Sequence, residues 1–212
     1  MSGYSYIKDP AAIYAESFAR VRAAGQFGGM TPAMADVAVR LVHACGMPDL
    51  VADLAYSGRA VDRAVAALMS GCPVFCDCEM VASGITRRFL PQNNEVIVTL
   101  NDPQTKIIAQ QQHTTRSAAA IDLWGDNLAG AVVAIGNAPT ALFRLLERIH
   151  DGAAAPAVIL GFPVGFVGAA ESKQALATDD YGLDFIVVHG TRGGSALAAA
   201  AVNALALGAK TS

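Results

Sequence analysis

Charge is scarce in this 212-residue chain: Lys, Arg, Asp and Glu make up 16% of it, against about a quarter in average globular proteins. Aromatic residues are sparse at 7%, with a single tryptophan, although 53% of the residues are hydrophobic. A disordered chain has low hydrophobicity and high charge, so that class is excluded. Long apolar runs are also missing. A spanning helix needs roughly 18 consecutive apolar residues, and both best stretches are broken: 157–170 by Gly161, Pro163, Gly165 and Gly168, and 196–209 by Asn203. No membrane association is expected. Basic residues are not in surplus either, since 15 against 18 acidic ones give a net charge of −3, which argues against nucleic-acid binding as the main role. Lys8 and Asp9 interrupt the segment where a signal peptide would need its apolar stretch, so a cytoplasmic location is expected.

Signature motifs are absent too. The sequence contains no G-x-x-x-x-G-K-[ST], no G-x-G-x-x-G opening a helix after a strand, no G-x-S-x-G elbow and no H-E-x-x-H. Cys72, Cys76 and Cys78 lack a second paired knuckle and read, with Cys45, as free thiols rather than metal ligands.

What is present is alternation. Helical periodicity covers 10–24, and Thr31 followed by Pro32 opens a helix through Cys45, closed by Gly46-Met47-Pro48. Further helices are expected at 59–69, 79–85, 103–121, 139–149, 166–177 and 194–207, with strands at 74–78, 95–100, 131–135, 157–160 and 185–188. The last three strands are continuously apolar, which suits a sheet buried on both faces. The expected fold is a single α/β domain over 1–212. It has a mainly helical segment (1–70), then an open, mostly parallel five-stranded sheet with helices on both faces (71–212). Ligands of such sheets sit beyond the carboxyl ends of the strands. There the chain places Gly136-Asn137-Ala138 and the Gly-rich stretches 161–168 and 189–194.

Three constellations carry candidate chemistry. His43 sits near the end of its helix, three residues after Arg40; it reads either as a proton-exchanging group or as a helix-end histidine facing orphan carbonyls. His113-Thr114-Thr115-Arg116-Ser117 forms a polar island, one cation flanked by three hydroxyls, suited to a carboxylate or phosphate, or simply a solvated helix segment. Arg192-Gly193-Gly194-Ser195 opens the last helix with free amides and a cation, favouring an anion. His113 and His189 read as structural, and His150 as a surface helix end. Together these suggest a polyanionic small molecule over Gly-rich loops.

The stretches YIKD (6–9), SFAR (17–20), RLVHACG (40–46), CDCEMVASGI (76–85), TTRSAAA (114–120), AVVAIGNAPTALF (131–143), GFPVGFVGAAESK (161–173) and RGGSALAAAAVNAL (192–205) resemble those of the precorrin-8X methylmutases. They occur in order over nearly the whole chain. The resemblance implies an isomerase of cobalamin biosynthesis that moves a methyl group from C11 to C12 of a corrinoid ring, giving hydrogenobyrinate. It implies no cofactor and no metal. It makes His43 the general acid and Ser17, Arg40 and Arg116 the first carboxylate contacts. Thr115, Ser117, Ser83, Gly84, Thr86, Gly136, Asn137, Gly165, Arg192, Gly193 and Ser195 complete the substrate site. It also implies a homodimer with the pocket near the interface, and passage of product to the next pathway enzyme. One departure is His189-Gly-Thr-Arg192, where the resemblance calls for a more basic segment. Three alternatives stand beside it: a cobalt-precorrin-8 mutase, a non-catalytic corrinoid carrier, and a hydrolase using Cys45 or Ser83 with a histidine.

Overall fold

The computed structural model describes residues 3–210; the first two and last two residues of the expected 1–212 domain lie outside it. Two helices lead. Pro10–Ala24 (α1) is capped by Asp9, whose carboxylate accepts from the Ala12 amide at 2.7 Å, and Pro32–Cys45 (α2) by Thr31. A left-handed Gly46 (φ 71°) ends α2. A 3₁₀ turn, Pro48–Asp53, then leads into Leu54–Tyr56 (β1). The remainder alternates: Ala60–Met69 (α3), Val74–Cys76 (β2), Glu79–Gly84 (α4), Val96–Ile97 (β3), Pro103–Gln111 (α5), Arg116–Ile121 (α6), Val132–Ile135 (β4), Pro139–His150 (α7), Val158–Gly161 (β5), Ala169–Ala177 (α8), Phe185–Val188 (β6) and Ser195–Ala209 (α9).

The strands form one sheet in the order β1-β6-β5-β4-β2-β3. This corrects the expected five-stranded sheet in number and in kind. The sixth strand, β1, pairs antiparallel with β6 (Leu54 opposite Val188), so the sheet is mixed, while the other four pairings are parallel. β1 escaped notice because it has three residues, only half-buried, directly after a proline-led turn. Too few positions remain there for a period of two to register. The helix expected over 103–121 is also corrected. It breaks into α5 and α6 at His113, which takes a left-handed φ of 53°.

Alternation along the strands separates two buried layers. Cys76, Ala134, Leu160 and Ile186 face α2, α3, α4 and α9; Phe75, Val133, Ile159 and Val187 face α6, α7 and α8. β4, β5 and β6 are almost wholly buried, as continuous apolar strands between two helical layers should be. No helix among the described residues is long and apolar enough to cross a membrane.

Candidate active site

The antiparallel β1 decides where α2 ends. β1 begins opposite Val188, at the carboxyl end of β6, so the turn before it, and α2 before that, finish at this same edge of the sheet. Two contacts fasten the junction: the His189 amide donates to the Asp53 carbonyl at 2.8 Å, and the Arg192 guanidinium pairs with Asp49 (2.7 Å) and Asp53.

α2 buries Met34, Val37, Ala38, Leu41 and Val42, which turns Arg40 and His43 toward α1. α1 has no fully buried residue and lies on α2 through half-buried Ser17, Phe18 and Val21. Ser17 Oγ is 2.8 Å from His43 Nδ1. The Phe18 ring meets the imidazole edge-on at 5.1 Å and stacks under the Arg40 guanidinium, also at 5.1 Å. Tyr14, one turn before Phe18, brings its ring to 5.8 Å from His43. Nδ1 is thus engaged, leaving Nε2 as the nitrogen for a ligand. Two cavities are lined by α1 and α2. One of ≈ 220 Å³ is lined by Ser17, Val21, Val42, His43 and Gly46; the other, ≈ 460 Å³, by Phe18, Arg22, Asp36, Arg40 and Val61.

The loops after β4, β5 and β6 are knitted together. Gly165 N donates to Thr191 O at 3.1 Å and Gly194 N to Phe162 O at 2.7 Å. A side chain on Gly193 would strike the carbonyls of Phe162 and Pro163, and one on Gly136 would come within 2.7 Å of Ser195 Cα, so both close approaches require glycine. Asn137 is exposed, whereas Ser195 is buried beside Cys78 (Oγ to Sγ 3.6 Å). Beneath the loops lie two buried titratable side chains, Asp77 and Lys173. Asp77 accepts from the amides of Gly136, Asn137 and Ala138 at 2.8–3.0 Å. Burial pushes its pKa up while those three bonds pull it down. Lys173 donates to the Arg192 carbonyl at 2.5 Å, and burial lowers its pKa to about 8, opposed by Asp53.

Thr115, Arg116 and Ser117 open α6 in the opposite layer. Thr115 caps the helix through the Ala118 amide and bonds Thr140 Oγ1 at 2.8 Å; Arg116 donates to Leu100 O (2.9 Å) and Asn101 Oδ1 (2.8 Å). Ser83 and Gly84 are exposed on α4, and the Thr86 amide donates to Asn203 on α9 at 2.8 Å. The structure therefore joins His43 with Ser17 and Arg40, and it joins the three Gly-rich loops. Arg116 stands apart, beside the end of β3, while His43 lies beside β1 and β6. The five strand spacings between β1 and β3 amount to about 24 Å.

Sequence reasoning missed Tyr14, Asp77 and Lys173 as members of this edge. Tyr14 lies three residues before Ser17 and so on the same helical face, a signal that was available. An aspartate between two cysteines at the end of an apolar strand was another. As for the hydrolase alternative, Cys45 Sγ faces the Val42 carbonyl at 3.7 Å, and among the described residues no histidine bonds it or Ser83. Burial raises the Cys76 thiol far above its usual range, which leaves it inert.

Comparison with known proteins agrees on one family. The family model described as precorrin-8X methylmutase matches residues 12–207. A precorrin-8X methylmutase of Sinorhizobium sp. is 56% identical over 206 residues, covering 97% of this chain and 98% of that protein. Its counterpart in Pseudomonas aeruginosa is 54% identical over 201 residues, with coverage of 95% and 97%. The crystal structure of precorrin-8x methyl mutase from Thermus thermophilus superposes with a TM-score of 0.85 at 36% identity, covering 94% of this chain and 98% of that one. The chain belongs to the precorrin-8X methylmutase family.

Proposed function

We propose that this isomerase of cobalamin biosynthesis converts precorrin-8X to hydrogenobyrinate by the C11-to-C12 methyl shift, with His43 as general acid. The observation that carries the residue assignment is the Ser17–His43 contact at the carboxyl edge of the sheet. In the imidazolium both nitrogens bear protons. Ser17 Oγ accepts from Nδ1–H, and Nε2–H is delivered to the macrocycle. Protonation withdraws electron density from the conjugated ring, so the C11–methyl bond breaks as the C12–methyl bond forms. The proton then returns to His43, and substrate and product have the same formula. A positioned general acid contributes about 10²–10⁴-fold; the remainder comes from holding the ring in a productive shape.

Arg40, which stacks on Phe18, is assigned to one ring carboxylate. The loop residues Gly136, Asn137, Gly165, Gly193 and Ser195, with Ser83, Gly84 and Thr86, form the bed of the ring. Arg192 already holds Asp49 and Asp53. Its part is to brace the α2 junction, and a substrate carboxylate reaches it only in competition with those two aspartates. We assign Thr115, Arg116 and Ser117 to the ring bound at the His43 of a second copy, since Thr115 bonds Thr140 on α7 and Arg116 bonds Leu100 and Asn101 rather than any group of α1 or α2. A homodimer with shared sites follows. The Sinorhizobium and Pseudomonas relatives, each more than half identical, bear the name precorrin-8X methylmutase, which favours precorrin-8X over its cobalt analogue.

The test is optical. Moving the methyl off C11 restores an sp² centre and lengthens the conjugation, so turnover of precorrin-8X must change its visible spectrum. An unchanged spectrum over many equivalents of substrate contradicts the assignment.

A further inference from the structure

We propose that Asp77 is a positioning residue for the macrocycle-binding edge, acting through the backbone of residues 136–138 and the Thr140–Thr115 contact on Arg116. This rests on the function proposed above. Asp77 follows β2 directly and is 2% exposed, yet among the described residues its carboxylate bonds backbone amides and no cation. Oδ1 accepts from Gly136 N (3.0 Å), and Oδ2 from Asn137 N (2.9 Å) and Ala138 N (2.8 Å). Three consecutive amides therefore converge on one carboxylate. Ala138 is the capping position of α7, and the three amides belong to the loop that leads into this helix, so Asp77 fixes from another strand how the chain enters α7. A negative group at this helix start is also favoured by the helix dipole.

The clasp has consequences on both layers. On one side Gly136 is drawn against Val81, Ser195 and Ala198, which sets the separation of the β4 loop from α4 and α9. On the other, the first turn of α7 carries Thr140, whose hydroxyl bonds Thr115, the cap of α6. Arg116 is the first residue of α6. Hydrogen bonds at Ala138 and at Thr140, joined by the short stretch of chain between them, thus link Asp77 to the segment that presents Arg116. A residue working this way sets how well the ring is held and leaves proton delivery by His43 alone.

The experiment compares Asp77→Asn and Thr140→Val with wild type, measuring kcat, KM, the pH profile of kcat, and binding of hydrogenobyrinate by absorbance. In Asp77→Asn the new amide group opposes a backbone N–H, which removes one or two of the three bonds. Expected are a KM and a product dissociation constant raised about tenfold, with kcat within about twofold and an unmoved pH profile. A folded Asp77→Asn protein with unchanged KM, or with kcat lowered at constant KM, overturns the proposal. If Asp77→Asn does not fold, Thr140→Val decides, being an exposed position: a raised KM supports the positioning role and an unchanged one overturns it. Normal turnover by His43→Ala would remove the acid assignment and leave the KM effect of Asp77 intact, so the two failures are distinguishable.

Discussion

Ser17 Oγ stands 2.8 Å from Nδ1 of His43, joining α1 to the last turn of α2. The bond fixes the ring orientation and leaves Nε2 for the substrate. Removing it in Ser17→Ala costs one hydrogen bond to the imidazolium, so kcat should fall about three- to tenfold with KM nearly unchanged. A raised KM with normal kcat would instead make Ser17 a contact to a ring carboxylate.

Sharing of the site between two copies makes a second prediction. His43→Ala and Arg116→Ala homodimers are each impaired at both sites. Random pairing on co-expression gives mixed dimers in which one site carries both changes and the other carries neither. Roughly a quarter of wild-type activity should then return. No recovery would place both residues in sites built from one chain.

Gly193 is held by backbone on two sides, since a Cβ there would meet Pro163 O at 2.5 Å and, closer still, Phe162 O. The Phe162 carbonyl cannot move without disturbing its bond from the Gly194 amide. Gly193→Ala should lose about 1–3 kcal/mol of stability in urea unfolding, whereas Gly58→Ala, with nothing within 4 Å, should stay near wild type. Equal stability of the two variants would remove the close packing of the β5 and β6 loops.

Lys173 gives a pH dependence with a defined sign. Its pKa is about 8 in the folded chain against an ordinary 10.5. Between those values the unfolded chain holds the proton that the folded one has lost, so this group's contribution to folding stability rises with pH. Measured by urea unfolding from pH 8 to 10, wild type should gain on Lys173→Met. A constant difference between the two proteins would contradict the buried, neutralised amine.

Much of this was legible in the sequence, and the exceptions have physical causes. Apolar periodicity over 10–24 and the capping and stop signals at Thr31-Pro32 and Gly46 are local, and they place α1 and α2. Continuous apolar runs identify β4, β5 and β6 because burial on both faces removes any polar position. β1 is held by pairing with a strand more than 120 residues away, and no local pattern reports such a contact. The break at His113 is likewise invisible, since it depends on one residue turning left-handed between two helical segments. In the site, Arg40 and His43 are three residues apart on one helix and readable together, whereas Ser17 entered only through the family resemblance and meets His43 by the packing of α1 on α2. The clasp of Asp77 on Gly136, Asn137 and Ala138 spans some 60 positions and arises from strand order alone.

The most direct measurement is the visible spectrum of precorrin-8X mixed with wild type and with His43→Ala, alongside binding of hydrogenobyrinate to each. With His43 as the acid, wild type produces the spectral change. His43→Ala binds the ring but turns it over at least about a hundredfold more slowly. A His43→Ala protein that produces the change at the wild-type rate would contradict the acid assignment. A wild-type protein that binds the ring and never alters its spectrum would be a carrier rather than an isomerase.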